Sequence, residues 1–96
     1  MKIEAKINAV SPVIEGTSSR TGKEYRLCEV VLEVAQDGRY DYILAKAFDE
    51  KCDFCQQYDM NSQPPVAVNV EMFVDNGRGF SARKYMSCSI GSIEMA

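Results

Sequence analysis

Apolar and polar residues alternate with a period of two along most of this chain, which is typical of β-strands with one buried face. The first such run places four apolar residues on one face of a strand: Ile3, Ala5, Ile7 and Ala9. Similar runs occupy residues 25–35, 40–48, 66–73 and 80–90. The alternation therefore predicts five strands. In the fourth, Met72 is expected on the same face as Val66, Val68 and Val70.

The segments between these runs carry turn and loop residues. Residues 16–22 are rich in Gly, Ser and Thr and predict a loop, and the apolar residues before them can continue the first strand after a bend at Pro12. Asp37-Gly38 is a strong hairpin signal between the second and third strands. Asp75-Asn76-Gly77 predicts a second tight hairpin between the fourth and fifth.

Residues 49–60 lose the alternation and predict a short helix. Asp49 is a suitable N-cap, and Phe54, Cys55 and Tyr58 follow the spacing of one helix face. Residues 61–65 contain two prolines and end this segment.

Five strands with a short helix between the third and fourth predict an all-β protein. The position of the helix favours a five-stranded Greek-key barrel of the oligonucleotide-binding (OB) type. Another small barrel or a curled meander has the same strand spacing. Ninety-six residues predict one domain, residues 1–96.

Charge and hydropathy limit the partners and the compartment. No apolar run approaches the roughly 20 residues that span a bilayer, and the N-terminus lacks the apolar stretch of a secretory signal, so we expect a cytoplasmic protein and no membrane partner. The net charge of −3 counts against a nucleic-acid partner. The whole excess of acid lies in residues 49–59, because outside that segment acidic and basic residues balance.

Catalysis and cofactor binding find little support in the sequence. The chain has no His, which is the commonest general base, and its Ser and Thr residues lack an evident activating partner. Cys52 and Cys55 form one close pair, whereas structural zinc sites use two pairs or a pair with histidines. Cys28 and Cys88 occur in strands and are expected to point inward. We therefore expect no enzyme, no metal site and no cofactor.

The third strand carries a candidate binding face. Tyr42, Lys46 and Phe48 share its outward side, and Arg83 and Tyr85 repeat the combination of aromatic and base on the fifth strand. Exposed aromatics that stack on bases, next to cations that pair with phosphates, are what binding of single strands requires. The alternative is that the aromatics cover a second small core or an oligomer interface.

Two loops add candidate cations. Arg20, Lys23 and Arg26 surround Tyr25 in and after the loop at residues 16–22, and Arg78 lies in the second hairpin. A basic loop next to the barrel is a place where OB proteins close over a ligand. The alternative is a solvated hairpin whose charges maintain solubility.

Several of these segments together resemble a known family. They are Gly16-Thr17-Ser18, residues 22–26 (GKEYR), residues 29–33 (EVVLE), Ala47-Phe48-Asp49 and Asn76-Gly77-Arg78 with Phe80. The chain resembles the single-stranded DNA-binding-protein-like branch of OB folds, and is similar to short, uncharacterised bacterial OB-fold proteins. The resemblance implies that Tyr42 and Phe48 stack on bases, with Phe73 as a further stacking position.

The sequence thus predicts binding of single-stranded nucleic acid, with DNA favoured over RNA, with little sequence preference and no catalysis. The alternative is a protein-interaction or assembly module that uses the same aromatic and basic face as a homo-oligomer (dimer or tetramer) or partner interface.

Overall fold

The described part of the chain folds into six β-strands and one short helix. A computed structural model describes the backbone of residues 1–76 and 84–96, and the side chains of residues 1–72 and 87–96. The elements are β1 (Lys2–Val10), β2 (Ile14–Thr17), β3 (Glu24–Gln36), β4 (Arg39–Phe48), α1 (Glu50–Gln56), β5 (Val66–Asn76) and β6 (Lys84–Met95). The predicted β-rich architecture, with a short helix after the strand that ends at Phe48, is confirmed, but the described strands number six instead of five.

The strands form one sheet whose pairings return to their starting strand. The sheet order is β1-β5-β6-β4-β3-β2, and β1 also pairs with β3. The described pairs are antiparallel except β4 with β6, which run parallel and meet at Lys46 and Ser89. Following the pairs from β1 through β3, β4, β6 and β5 leads back to β1, so the sheet curls around a common interior.

The interior is apolar and is filled by every second residue of the strands. Burial of these side chains drives folding, because apolar area leaves water. The fully buried large side chains are Ile7, Leu32, Ile90, Val30, Val66, Val68, Val70, Cys28, Cys52 and Cys55. The two cysteines of α1 belong to this set, so the helix packs onto the interior through its Cys52–Cys55 side.

The predicted first strand and its loop are each corrected. Ala9 is exposed, because the pairing of β1 with β3 shifts by one residue between Ile7 and Ala9, and such a bulge reverses the faces that follow. Gly16 and Thr17, expected in a loop, belong to the separate strand β2 and pair with Tyr25 and Glu24. The loop is therefore confined to residues 18–23.

The first predicted hairpin is confirmed and the second is not. Asp37 and Gly38 both have positive φ, 48° and 78°, as the two central residues of a type I′ turn require. By contrast, Asp75 and Asn76 lie within β5, where Asn76 pairs with Lys84, so no tight turn forms at 75–76. Gly77, the third residue of the predicted turn, lies outside the described residues. The predicted start of the last strand at residue 80 lies outside the described residues, and its end is at Met95 instead of residue 90.

The helix also differs from prediction in detail. Asp49 precedes it as expected but makes no side-chain cap, because its carboxylate accepts a hydrogen bond from the backbone N–H of Arg26 at 3.1 Å. Tyr58 lies beyond the end of α1 and is buried. Met72, expected on the same face as the buried Val68 and Val70, is 52% exposed.

Within the described part of the chain, no helix combines the length and the apolar character needed to cross a membrane.

Candidate functional site

The outward sides of β3 and β4 form a continuous surface, which we call the outer face. The antiparallel pairing arranges it in rows of two residues, one from each strand. From the β2 end to the hairpin end, the rows are Leu27/Phe48, Glu29/Lys46, Val31/Leu44, Glu33/Tyr42 and Ala35/Tyr40. The prediction that Tyr42, Lys46 and Phe48 share one side of their strand is confirmed.

The hairpin end of the outer face exposes large apolar and aromatic side chains. Tyr40 is 65% exposed, and Tyr42 and Leu44 are each 59% exposed. Tyr40 and Leu44 were not among the predicted site residues, although both stand two positions from Tyr42 and so share its side of the strand. Exposed apolar residues that adjoin one another mark interaction surfaces more often than isolated ones do.

The β2 end of the outer face is covered by its own residues. Phe48 is half-buried and meets Tyr25 edge-on, with ring centroids 6.2 Å apart and ring planes 64° apart. Tyr25 lies across Gly16, where an added Cβ would approach the tyrosine Oη to 2.6 Å. Gly16 therefore leaves room for the ring of Tyr25, and this pair of aromatics is less available for stacking than the sequence suggested.

The exposed side chain of Arg26 is engaged in an ion pair with another residue of the same chain. Its guanidinium donates two hydrogen bonds to the carboxylate of Asp53 on α1, each 2.9 Å long. The backbone of Arg26 also joins the start of the helix, because Asp49 N–H donates to its carbonyl at 2.8 Å. A phosphate would have to compete with a bidentate carboxylate for this side chain.

The charged residues on and beside the outer face are paired with residues of opposite charge. Lys46 stands opposite Glu29 in the β3–β4 ladder, and Lys6 on β1 stands opposite Glu33. Across the described residues, Arg26–Asp53 is the one ion pair shorter than 4.0 Å, so Lys46 and Glu29 are neighbours without closing onto each other. The described part of the face thus has no excess of positive charge.

The loop at residues 18–23 is a compact turn that carries two exposed bases. Ser18 organises it: its Oγ accepts from the N–H groups of Arg20 and Thr21, and its carbonyl accepts from Gly22. Arg20 and Lys23 are both exposed.

Next to this loop, a cleft of about 670 Å³ opens between the β2–β3 end and the start of α1. Four carboxylates contribute to its lining, from Glu15, Glu24, Asp49 and Glu50. The surroundings of the basic loop are therefore acidic, which opposes the approach of a phosphate.

The side chains of four predicted site residues lie outside the described part of the structure. Arg78 and Arg83 lie outside the described residues, and the side chains of Phe73 and Tyr85 do as well. The predicted proximity of the strands that carry Tyr42 and Tyr85 is confirmed for the backbone, because β4 and β6 are neighbours in the sheet.

The buried thiols of Cys28, Cys52 and Cys55 lie near one another on the inner side of α1. Burial, followed by a hydrogen bond with Cys52, raises the pKa of Cys28 from 9.0 to about 11. Burial raises the pKa of Cys55 to about 12. Thiols held protonated in this way are weak nucleophiles. In the described ranges, no three Cys, Asp or Glu side chains are grouped so that they could hold a metal ion.

Comparison with protein-family models and with curated protein sequences finds no match to this chain.

Proposed function

We propose that this protein is an interaction or assembly module, and that the outer face of β3 and β4 is its protein-contact surface. The observation that carries the proposal is the centre of that face. Leu44 is 59% exposed beside the half-buried Val31, and the next row outward holds one base and one acid, Lys46 and Glu29. An exposed apolar centre bordered by both signs of charge suits another protein surface.

The same charges make the face less suited to nucleic acid. Binding to a phosphate backbone draws its affinity from cations, each of which releases condensed counterions. Here Lys46 and Lys6 each have an acid as their partner in the ladder, and Arg26 is engaged by Asp53. Hydrophobic contact needs no such excess of positive charge.

We also propose that the fold is an OB fold, as the sequence resemblance implies. Two observations support this: the circuit of pairs β1–β3–β4–β6–β5–β1, and the position of α1 between β4 and β5. In this interpretation β1 and β2 are the two halves of one bent first strand, which explains why the described residues form six strands instead of the five predicted. The outer face then corresponds to the side on which OB folds bind their ligands.

Photo-crosslinking from the centre of the outer face tests the protein-contact proposal. Benzoylphenylalanine at position 44, in the cells that make the protein, is expected to form an adduct with one discrete polypeptide, which mass spectrometry identifies as another copy or a different chain. The matched control carries the same group at Ser92, an exposed β6 residue outside the outer face. Adducts of equal yield from both positions, or none from position 44, would contradict the proposal.

Binding of single-stranded nucleic acid, with DNA favoured over RNA, is the second candidate function. It is favoured by the rings of Tyr40 and Tyr42, which are exposed on one side of β4, and by the exposed cations Arg20 and Lys23. Stacking contributes about 1–3 kcal/mol per base and requires an accessible ring face.

Fluorescence anisotropy of a labelled oligothymidine of about 30 nucleotides, at low and moderate salt, separates the two functions. Saturable binding that weakens with salt, and is lost in a Tyr42→Ala, Phe48→Ala variant, would favour nucleic acid. The protein-contact proposal expects no saturation at tens of micromolar protein.

A further inference from the structure

The residues that face each other in the rows of the outer face are complementary, which indicates what kind of protein could cover this face. In each of the three central rows the β3 residue and the β4 residue complement one another: Glu29 with Lys46, Val31 with Leu44, and Glu33 with Tyr42. In the last of these, the Tyr42 hydroxyl already donates to a Glu33 carboxylate oxygen at 3.4 Å, a long hydrogen bond. A surface whose two halves complement each other row by row can pair with its own copy.

We propose that the outer face binds a second copy of this chain, about a twofold axis that runs between β3 and β4 parallel to the strands. This inference rests on the proposed function and names the partner. A rotation about that axis lays β3 of one copy over β4 of the other and keeps every row level. Glu29 then faces Lys46 of the second copy, and Lys46 faces its Glu29.

The apolar row occupies the centre of the same arrangement. Val31 lies over Leu44 of the second copy, and the reciprocal contact repeats on the other side of the axis, as a twofold interface requires. Tyr42 lies over Glu33 of the second copy, where its hydroxyl can donate to a carboxylate. Sheets that stack face to face with aligned strands, about 10 Å apart, are a common packing.

A twofold axis that lies in the plane of the interface but runs perpendicular to the strands is opposed by charge. An axis perpendicular to the strands, through the Val31/Leu44 row, would lay β3 over β3 and bring Glu29 onto Glu33 of the second copy. Like charges brought together in an interface oppose association. The order of acids and bases along the two strands therefore selects the axis parallel to them.

This pairing requires that the side chains of the outer face are exposed and are not already engaged within the monomer. Lys46 and Glu29 are both exposed, and neither takes part in the described ion pair. Leu44 and Tyr42 expose more than half of their surface. Charged residues that are close in the ladder but not closed onto one another can turn to a partner without first breaking a bond.

Charge reversal with mixing tests the axis. Glu29→Lys places the introduced lysine against Lys46 of the second copy on both sides of the axis, and Lys46→Glu places two acids together in the same row. Sedimentation velocity is expected to show the wild type as a dimer at tens of micromolar and each variant with a dissociation constant raised at least about tenfold. An equimolar mixture of the two variants is expected to restore the dimer, because each opposite charge then meets across the axis.

The mixture also serves as the control for folding. Within each variant chain the neighbours at 29 and 46 still repel, so restoration by mixing cannot come from repair of the monomer. Circular dichroism of each variant alone checks that it is folded. The double variant Glu29→Lys/Lys46→Glu is expected to dimerise by itself.

Three results would overturn the inference: a wild-type monomer at several hundred micromolar, single variants that dimerise as the wild type does, or a mixture that stays monomeric. Dissociation of a wild-type dimer by oligothymidine would assign the face to nucleic acid instead. If the wild type is monomeric while position 44 crosslinks to a different polypeptide, the second copy is wrong and the protein-contact function stands. If neither occurs, both fail.

Discussion

The inner and outer faces of β3 and β4 are made by the same two strands and differ in what covers them. Inward residues such as Leu32 and Ala47 are fully buried by the other strands and α1, while outward residues such as Leu44 and Tyr42 are more than half exposed. Both faces contain large apolar side chains. Alternation therefore assigns a side to each residue, whereas the cover depends on the rest of the fold.

The largest expected difference between the faces is in how much a Leu→Ala substitution lowers the free energy of unfolding. Leu32→Ala is expected to lower the free energy of unfolding by about 2–5 kcal/mol, because it opens a cavity in a filled interior. Leu44→Ala, the matched change on the outer face, is expected to alter it by less than about 0.5 kcal/mol. Urea denaturation at low micromolar protein, where a dimer has dissociated, measures both. Equal losses would mean that the outer face is covered within the monomer.

Alkaline pH tests the buried thiols that join the inner face to α1. Unfolded thiols ionise as the pH rises through about 9.0, while burial keeps Cys28 and Cys55 protonated to pKa values of about 11 and 12. Their contribution to stability is therefore complete below pH 9 and declines as the pH rises towards 11 and 12.

The measurement is urea denaturation at a series of pH values, in the wild type and in a Cys28→Ala, Cys55→Ala variant. The wild type is expected to lose more stability between pH 9 and 11 than the variant does. Parallel pH profiles would show that these thiols titrate alike in the folded and unfolded protein.

Gly16→Ala sharpens the comparison between the two ends of the outer face. The new methyl would meet the ring of Tyr25, and displacing that ring from its contact with Phe48 is expected to cost about 1–2 kcal/mol. In a Tyr25→Ala background the same change is expected to cost little, so a double-mutant cycle isolates the contact. A cost that persists without the ring would place the strain in the β2 backbone.

Asp53→Asn is expected to have the smallest effect. It breaks the bidentate pair with Arg26, whose side chains are 44% and 45% exposed, and solvent screening limits the loss to about 0.2–1 kcal/mol. Glu29→Gln, at a carboxylate outside that pair, is the control and is expected to leave thermal unfolding of the monomer unchanged. A larger loss at Glu29 than at Asp53 would reverse the assignment of paired and available charges.

Local pattern was sufficient to predict most of the fold. Alternation placed Cys28, Val30 and Leu32 on the buried side of their strand, and Asp37-Gly38 marked the first hairpin, because both signals depend on backbone geometry over a few residues. The errors arose where the pairing with a distant strand determines which face a residue takes or whether it belongs to a strand. A bulge in β1 exposes Ala9, and pairing with β3 draws Gly16 into a strand.

The candidate site was harder to predict, because its residues are defined by their neighbours. Position on β4 identified Tyr42 and Lys46 as outward, and this holds. The engagement of Arg26 by Asp53, 27 residues later, has no local signal, and neither has the matching of Lys46 with Glu29. These long-range pairs are the reason why we propose a structural role for Arg26 and an interface role for Lys46, in place of phosphate contacts.

Co-sedimentation of the wild-type protein with a labelled oligothymidine of about 30 nucleotides, at low salt and tens of micromolar protein, tests most directly whether the outer face serves protein or phosphate. We expect the protein to have the sedimentation coefficient of a dimer and the oligonucleotide to sediment separately from it. An oligonucleotide that moves with the protein, and is released by Tyr42→Ala, would contradict the assignment of the face to protein contacts.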